Sequence, residues 1–159
     1  AHTRSWETFE AVYGSALILS LLLNYLIPLQ LSLVMPRTAS LSSGAILAGA
    51  GVAIVMAVRR QFNQAGQPTD PGRPTTQIIT TGVFSWSRNP LYLGGLIFML
   101  GIAALLNSIW LLILLLPATT AAHFILILPE EKYLLARFGG SYRQYTRSVR
   151  RWFGRRRQP

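Results

Sequence analysis

The stretch LYLGGLIFMLGIAALLNSIWLLILLLPATTAAHFILIL, residues 91–128, lies inside the longest gap between charged residues, the 41 uncharged residues between Arg88 and Glu130. A helix needs about 20 apolar residues to cross a bilayer at a rise of about 1.5 Å per residue. The run is therefore long enough for two crossings. Because Asn107 and Ser108 interrupt it near its middle, we predict a helical hairpin over residues 91–128 with its turn at those two residues.

Two shorter uncharged gaps lie nearer the N-terminus. There are 26 uncharged residues between Glu10 and Arg37, and 21 between Arg37 and Arg59. Each gap has the length of one crossing. We therefore predict an all-α integral membrane protein with about four transmembrane helices, forming a single membrane domain over residues 1–159 with two N-terminal spans over residues 1–58.

The composition excludes most soluble classes of protein. Of the 159 residues, 51% are hydrophobic and only 13% are charged, whereas a typical globular domain has about 25% charged residues. The sequence has no Cys, which excludes a disulfide framework, thiolate metal sites and a Cys nucleophile within it. Two His leave little for a His-based cluster, so no metal site is predicted.

The distribution of 15 basic and 5 acidic residues predicts the orientation. With four spans, only Arg37 lies on the far side, and the other 14 basic residues share the side of the two termini. The positive-inside rule then places both termini in the cytoplasm. The basic residues flank apolar spans and do not form a soluble basic face, so nucleic acid is not an expected partner.

Two features of the N-terminal spans bear on helix packing. Ala45, Gly49, Ala53 and Ala57 recur at every fourth position. Such a stripe of small residues lets two helix backbones approach closely in lipid, and it would also allow a homodimer. Pro28 is expected to kink the first span.

A polar cytoplasmic loop is predicted over residues 59–90, between the second and third spans. Residues 61–81 contain three prolines and two glycines, which argues against a regular helix. Composition allows this stretch to be either a solvated linker or a lid over a site.

A cytoplasmic basic tail is predicted over residues 129–159. Between Lys132 and Arg157 there are nine basic residues and no acidic one, enough to attract anionic lipid. A first helical pattern ends at Gly139-Gly140, and an amphipathic helix follows, with capping-box spacing between Ser141 and Gln144. Its apolar face is expected to lie in the headgroup layer of the membrane; that face contains Tyr142, Tyr145, Val149 and Trp152.

An acidic pair, Glu130 and Glu131, follows Pro129 at the predicted membrane boundary. Carboxylates after a proline are typical of a helix start, where they complement the helix dipole. Two carboxylates in a chain with so few acidic residues are also candidate ligands for a cationic group. The residues themselves leave both interpretations open.

Short motifs recur in a fixed order through the C-terminal half of the chain. They are Phe62-Asn63, Gln67, Thr81-Gly82-Val83-Phe84, Ser87-Arg88-Asn89-Pro90-Leu91-Tyr92-Leu93-Gly94, Glu130-Glu131 with Leu134, Phe138-Gly139, Tyr142, Tyr145 and Val149. In order and spacing, these motifs resemble the isoprenylcysteine carboxyl methyltransferase family. The chain is most similar to its small bacterial members, which share their fold and C-terminal site with phospholipid N-methyltransferases and, more distantly, with sterol reductases. This resemblance implies a bacterial inner membrane protein.

The resemblance also implies an enzyme that uses S-adenosylmethionine, with its cofactor site formed by residues 62–153, and a membrane-embedded or lipophilic methyl acceptor. In this family, the residue that matches Glu130 is the carboxylate that holds the cofactor. A carboxylate at a water-poor boundary can pair with a sulfonium or an ammonium. The cofactor-binding residues carried over are Gln67, Gln77, Ile78, Ile79, Phe84, Asn89, Pro90, Leu91, Tyr92 and Glu130.

Arg88 and Glu131 are the candidate catalytic residues for direct methyl transfer, which needs no metal. Arg88 would orient an anionic acceptor or a phosphate headgroup. Glu131 would act as a base if the acceptor is an amine.

Two residues depart from the family pattern. Asn89 stands where the best-known members have His, which removes a titratable group from the site. Leu126 stands where carboxyl-methylating members have Arg, and its lack of charge weakens the case for a carboxylate acceptor. Phospholipid N-methylation is therefore an alternative, as are an NADPH-dependent membrane reductase and a non-catalytic membrane protein.

Overall fold

The computed structural model describes residues 9–66 and 76–155, and within these ranges the regular structure is helical, without a β-strand. Two 3₁₀ turns, Leu31–Leu33 and Gly82–Ser85, lie between helices, and a π-helical turn spans His123–Ile127. The all-α prediction is confirmed. The helices are α1 (Phe9–Leu26), α2 (Arg37–Gln64), α3 (Pro90–Leu105), α4 (Ile109–Ala122), α5 (Leu128–Phe138) and α6 (Gly140–Ser148).

Three helices in the described ranges are long and apolar enough to cross a membrane. They are α1, α2 and the continuous 30-residue helix Ile109–Phe138, which contains α4, the π turn and α5. The apolar helix α3 has 16 residues, fewer than the roughly 20 that span a bilayer without thinning it. The integral membrane architecture is confirmed, with three long helices and a shorter fourth.

The ends of the first two helices differ from the prediction. Helix α1 ends at Leu26, so Pro28 lies in the connection after the helix and does not kink it. Proline lacks an N–H, and a position past the helix end removes no helical hydrogen bond. Helix α2 continues to Gln64, past the predicted start of the loop at residue 59, because the arginines and glutamines there are good helix formers.

Helices α2 and α3 pack with their backbones in direct contact. A Cβ atom built on Gly51 would lie 2.5 Å from the backbone N of Phe98 and 2.6 Å from the carbonyl O of Gly94. One built on Gly44 would lie 3.0 Å from the carbonyl O of Gly101. Glycine at these positions allows the two helices to approach this closely.

The predicted stripe of small residues does not make this contact. A Cβ on Gly49 would have nothing within 4 Å, and Ala45, Gly49 and Ala53 are exposed. The prediction chose the wrong face because α2 has two stripes of small residues. Spacing alone does not distinguish the stripe that faces protein from the one that faces lipid.

A polar network closes the end of the bundle where α3 meets α4. Asn107 adopts a positive φ of 58° in the turn, and the Ser108 hydroxyl accepts a hydrogen bond from Leu111 N, which caps α4. Arg37 donates to the carbonyls of Ala104 at 3.1 Å and Leu105 at 2.8 Å. These bonds satisfy the last carbonyls of α3, which have no partner within the helix.

Helix α1 packs on α4 through a core that includes Tyr13, whose hydroxyl donates to Thr119 Oγ1 at 3.1 Å. One turn earlier, the ring of Phe9 lies 6.3 Å from that of Tyr92. The start of α1 therefore meets the start of α3, at the opposite end of the bundle from Arg37. We call this the site end.

The apolar face of α6 is buried inside the protein, so its predicted place in the headgroup layer is wrong. Tyr142, Tyr145 and Val149 are 3%, 6% and 4% exposed and form one cluster with Val58 and Phe84. Burial against protein removes this aromatic surface from water as completely as lipid would. Trp152 lies beyond the helix, and its ring stacks 6.3 Å from that of His123.

The predicted capping box of α6 is also absent. The N-cap position is occupied by Gly139, at φ 52°, and the cap has no side-chain hydrogen bond. Glycine adopts this conformation without steric strain, so the same residue ends α5 and starts α6. Ser141 is consequently already inside the helix.

Candidate active site

The acidic pair lies within a continuous helix. Ile127 and Leu128 have right-handed helical dihedral angles, so the π turn leads into α5 without a break. Pro129 lacks an N–H, and its ring would clash with the carbonyl four residues earlier in a regular helix. The wider π turn directly before it accommodates this conflict. The helix-start interpretation of Glu130 and Glu131 is therefore wrong, and their carboxylates contact side chains instead.

Glu130 is paired with a residue in the first turn of α3. The hydroxyl of Tyr92 donates to Glu130 Oε2 at 3.2 Å. Pro90 is the first residue of α3 and Asn89 is its N-cap, as expected for a proline at a helix start. The fold thus brings the start of α3 beside the start of α5.

Glu131 lies among three donor side chains. Its Oε1 accepts from Asn89 Nδ2 at 3.3 Å and lies 3.2 Å from Arg88 Nη2. Arg151 Nε is 3.1 Å from both carboxylate oxygens, and Arg151 Nη2 is 2.8 Å from Oε2. The side chains of Arg88 and Glu131 are only 7% and 11% exposed. Hydrogen bonding to Glu131 raises the pKa of Arg151, which keeps this guanidinium charged.

The loop that carries Arg88 and Asn89 is held from two sides. Ser87 Oγ accepts a hydrogen bond from Asn89 N at 3.1 Å, and Ser87 is buried. From α6, the Tyr145 hydroxyl donates to the carbonyl of Phe84 at 2.7 Å. Burial raises the pKa of Tyr145, so it remains a donor at neutral pH.

A cavity of about 620 Å³ lies between this loop and α6. Ile78 is part of its wall and also packs against the apolar cluster beside it, which includes Phe84 and is contacted by Ile79. Neither carboxylate of the acidic pair lines this cavity. The lining residues are Ile78, Thr80, Ser85, Ser141, Gln144, Tyr145, Ser148, Val149 and Arg155.

Gln77, Leu91 and Gln67 are the remaining residues predicted to bind the cofactor. Gln77 is exposed and donates from Nε2 to the carbonyl of Ala65 at 2.8 Å, tying the loop to the end of α2. Leu91 is 37% exposed. Gln67 lies outside the described residues.

Arg151, whose guanidinium binds both carboxylate oxygens of Glu131, was not identified from the sequence. It was counted only as one of nine basic residues in the tail, and nothing in its local sequence separates it from the others. The structure therefore brings together Arg88, Asn89, Tyr92, Glu130 and Glu131 from the predicted set, and adds Arg151.

Comparison with known proteins supports the resemblance. The family model described as phospholipid methyltransferase matches residues 39–141. The nickel-cobalt-cadmium resistance protein NccN of Alcaligenes xylosoxydans xylosoxydans is 33% identical over 88 residues, which is 53% of this chain and 39% of that protein. The chain thus spans well under half the length of this relative. No solved structure matches the chain.

The family match covers more than half of the chain and runs from α2 to the start of α6. It includes both carboxylates of the acidic pair and the loop with Arg88 and Asn89 that contacts them. On this match and this arrangement, the chain belongs to the phospholipid methyltransferase family.

Proposed function

We propose that the protein transfers a methyl group from S-adenosylmethionine to a lipophilic acceptor that arrives from the bilayer. The observation that carries the proposal is the Glu130 carboxylate, hydrogen-bonded by Tyr92 at the site end of the longest apolar helix and within the family match. S-adenosylmethionine supplies a methyl group activated by a sulfonium. A carboxylate at a water-poor boundary suits its cationic groups.

The surrounding residues fit the other parts of this cofactor. Arg88 Nε is buried and has no hydrogen-bond partner among the described residues, so it has a donor available for a carboxylate. The apolar side chain of Ile78, in the cavity wall, suits a nucleoside. The adjacent cavity of about 620 Å³ is within the usual range of ligand pockets, about 300 to 1,000 Å³.

In this proposal the protein contributes alignment and exclusion of water. A methyl transfer requires donor and acceptor in line, and fixing two reactants in this way can supply on the order of 7 to 11 kcal/mol. Arg88 and Asn89 are held by Glu131 and by the buried hydroxyl of Ser87, so Arg88 Nε is held in a fixed position. Both oxygens of Glu131 already accept hydrogen bonds, which favours a structural role for it over proton transfer.

The surroundings of Leu126 bear on the acceptor. Leu126 is 1% exposed and belongs to the core cluster formed by α1, α3 and α4, so no cation stands where carboxyl-methylating relatives have Arg. A buried carboxylate without a cationic partner is costly. This favours an amine acceptor, as in phospholipid N-methylation, over an isoprenylcysteine carboxylate. The ammonium of such an acceptor would release its proton to water, and the neutral nitrogen would then take the methyl group as the carbon–sulfur bond breaks.

The proposal is tested by calorimetric titration of S-adenosylmethionine into the detergent-solubilised protein. We expect micromolar binding that Glu130→Gln abolishes and that Glu10→Gln, the same change at an exposed residue, preserves. Equal affinity in wild type and Glu130→Gln would overturn the assignment. Binding of NADPH in place of S-adenosylmethionine would favour a reductase, and binding of neither by a folded protein would favour a non-catalytic role.

The acceptor class is tested by transfer of a radiolabelled methyl group. We expect label in phosphatidylethanolamine presented in mixed micelles and none in a farnesylcysteine derivative. The reverse pattern would establish carboxyl methylation and overturn the argument from Leu126.

We further propose that the site end faces the cytoplasm of a bacterial inner membrane, with both termini on that side. The support is the positive-inside rule applied to the 14 basic residues outside Arg37. The basic tail would then contact anionic lipid. Since the wild-type chain has no Cys, single cysteines at Arg147 and Thr38 can be labelled from either side of the membrane. Labelling of Arg147→Cys from the outside would contradict this orientation.

A further inference from the structure

A short C-terminal segment, residues 149–155, crosses the loop that carries the site residues. Arg88 N donates to the carbonyl of Arg150 at 3.1 Å, and Gly154 N donates to the carbonyl of Trp86 at 2.6 Å. The segment closes on itself through a bond of 2.8 Å from Arg150 N to the carbonyl of Gly154. We call residues 149–155 the C-terminal strap.

Arg151, at the centre of the strap, contacts two predicted site residues through different atoms. Its carbonyl accepts from Asn89 Nδ2 at 3.4 Å, and its guanidinium pairs with Glu131 through Nε and Nη2. Asn89 Nδ2 also donates to Glu131 at 3.3 Å. Arg151, Asn89 and Glu131 therefore form a closed ring of contacts.

The guanidinium of Arg151 fixes the rotation of the Glu131 carboxylate. Asn89 and Arg88 contact Oε1, whereas among the described contacts Oε2 is held by Arg151. A planar guanidinium that binds both oxygens determines the plane of the carboxylate, which a single contact does not. Without Arg151, the Glu131 carboxylate would be free to rotate. Asn89 and Arg88, which both contact its Oε1, would then no longer be held in fixed positions.

We propose that Arg151 is a positioning residue of the site: it orients Glu131 and, through Glu131, the Asn89 and Arg88 side chains. The inference rests on the proposed function, in which Asn89 and Arg88 face S-adenosylmethionine. Arg151 lies beyond the family match, which ends at residue 141. The strap therefore adds to the site a residue that the matched segment does not contain.

The test compares S-adenosylmethionine affinity in Arg151→Ala and in Arg150→Ala by calorimetry. Arg150 is the neighbouring residue with the same charge, and its side chain is exposed. We expect Arg151→Ala to raise the Kd about tenfold, which corresponds to about 1.4 kcal/mol, and Arg150→Ala to leave it within about twofold. Arg151→Lys keeps the charge and one contact, so we expect partial rescue.

A double-mutant cycle separates positioning from general damage to the strap. Because Arg151 acts through Glu131, adding Arg151→Ala to Glu131→Gln should change the Kd less than about twofold further. A tenfold loss in that background, or no loss in Arg151→Ala alone, would overturn the inference and leave the proposed function intact. If the folded wild type does not bind S-adenosylmethionine, both fail together.

Discussion

Replacement of Gly51 with alanine tests the direct backbone contact between α2 and α3. The matched control is Gly49→Ala, two residues earlier on the same helix. A Cβ on Gly51 would lie 2.5 Å from Phe98 N, whereas a Cβ on Gly49 would have nothing within 4 Å. The two variants add the same methyl group to the same helix, and they differ in what that group meets.

The expected difference in stability follows from these distances. To bring the new Cβ of Gly51 to an ordinary contact of 3.4 Å, the helices must separate by about 0.9 Å. A gap of that size forfeits about a quarter to a half of each dispersion contact across the interface, and overpacked sites lose about 1 to 3 kcal/mol. Alanine favours a helix over glycine by roughly 0.8 to 1.0 kcal/mol, but this gain applies to both variants. We expect Gly51→Ala to be about 2 kcal/mol less stable than Gly49→Ala.

The assay is thermal unfolding of both variants in the same detergent. A difference of about 2 kcal/mol corresponds to a Tm lower by about 4 to 8 °C for a chain of this size. We expect Gly49→Ala to unfold at or slightly above the wild-type Tm. If the two variants have equal Tm values, or if Gly49→Ala is the less stable, then α2 does not face α3 through Gly51 and the packing described above is wrong.

Three other predictions concern the two ends of the bundle. Arg37→Ala removes two charged hydrogen bonds, to the carbonyls of Ala104 and Leu105, and should lower the free energy of unfolding by about 1 to 3 kcal/mol; an unchanged Tm relative to Thr38→Ala would contradict this. Glu131→Gln leaves the buried guanidinium of Arg88 without its counter-charge and should cost about 3 kcal/mol, measured by thermal unfolding with Glu10→Gln as the control. Burial, followed by the charge of Glu131, raises the pKa of Tyr142 to about 12, so the stability from its burial is complete below pH 10 and is lost as the pH rises through 12. Tyrosinate absorbance should show this residue ionising together with unfolding, and its ionisation near pH 10 in the folded protein would refute the burial of α6.

The positions of the helices were predictable because the charged residues mark the ends of the uncharged stretches of the sequence. The gaps between Glu10, Arg37 and Arg59 correspond to α1 and α2, and Asn107 and Ser108 lie between α3 and α4. Charged residues are disfavoured inside the bilayer whatever the helix packs against, so the spacing of the charged residues predicts the spans without knowledge of tertiary structure. The choice between the two small-residue stripes of α2 does depend on it, and there the prediction was wrong.

The site was predictable only in part, for a similar reason. The motifs identified Asn89, Tyr92 and Glu130 before any contact was known, and the structure brings these residues together. Arg151 belongs to the same cluster because the strap returns to the loop through backbone hydrogen bonds. Backbone hydrogen bonds do not depend on side-chain identity, so the sequence does not indicate that the C-terminal strap contacts the loop.

The π turn His123–Ile127 determines the direction in which the acidic pair points. Each residue of an α-helix advances about 100° around the axis, and a wider turn shifts the angular phase of everything that follows it. Upstream of the turn, Ala118 and Ala122 face the core, while downstream Glu130 and Glu131 face α3 and the strap. Adding or deleting a single residue in this turn would therefore rotate both carboxylates away from their partners while the bundle stayed intact. In this helix, the number of residues in the π turn determines the contacts of the acidic pair as much as the identity of its two residues does.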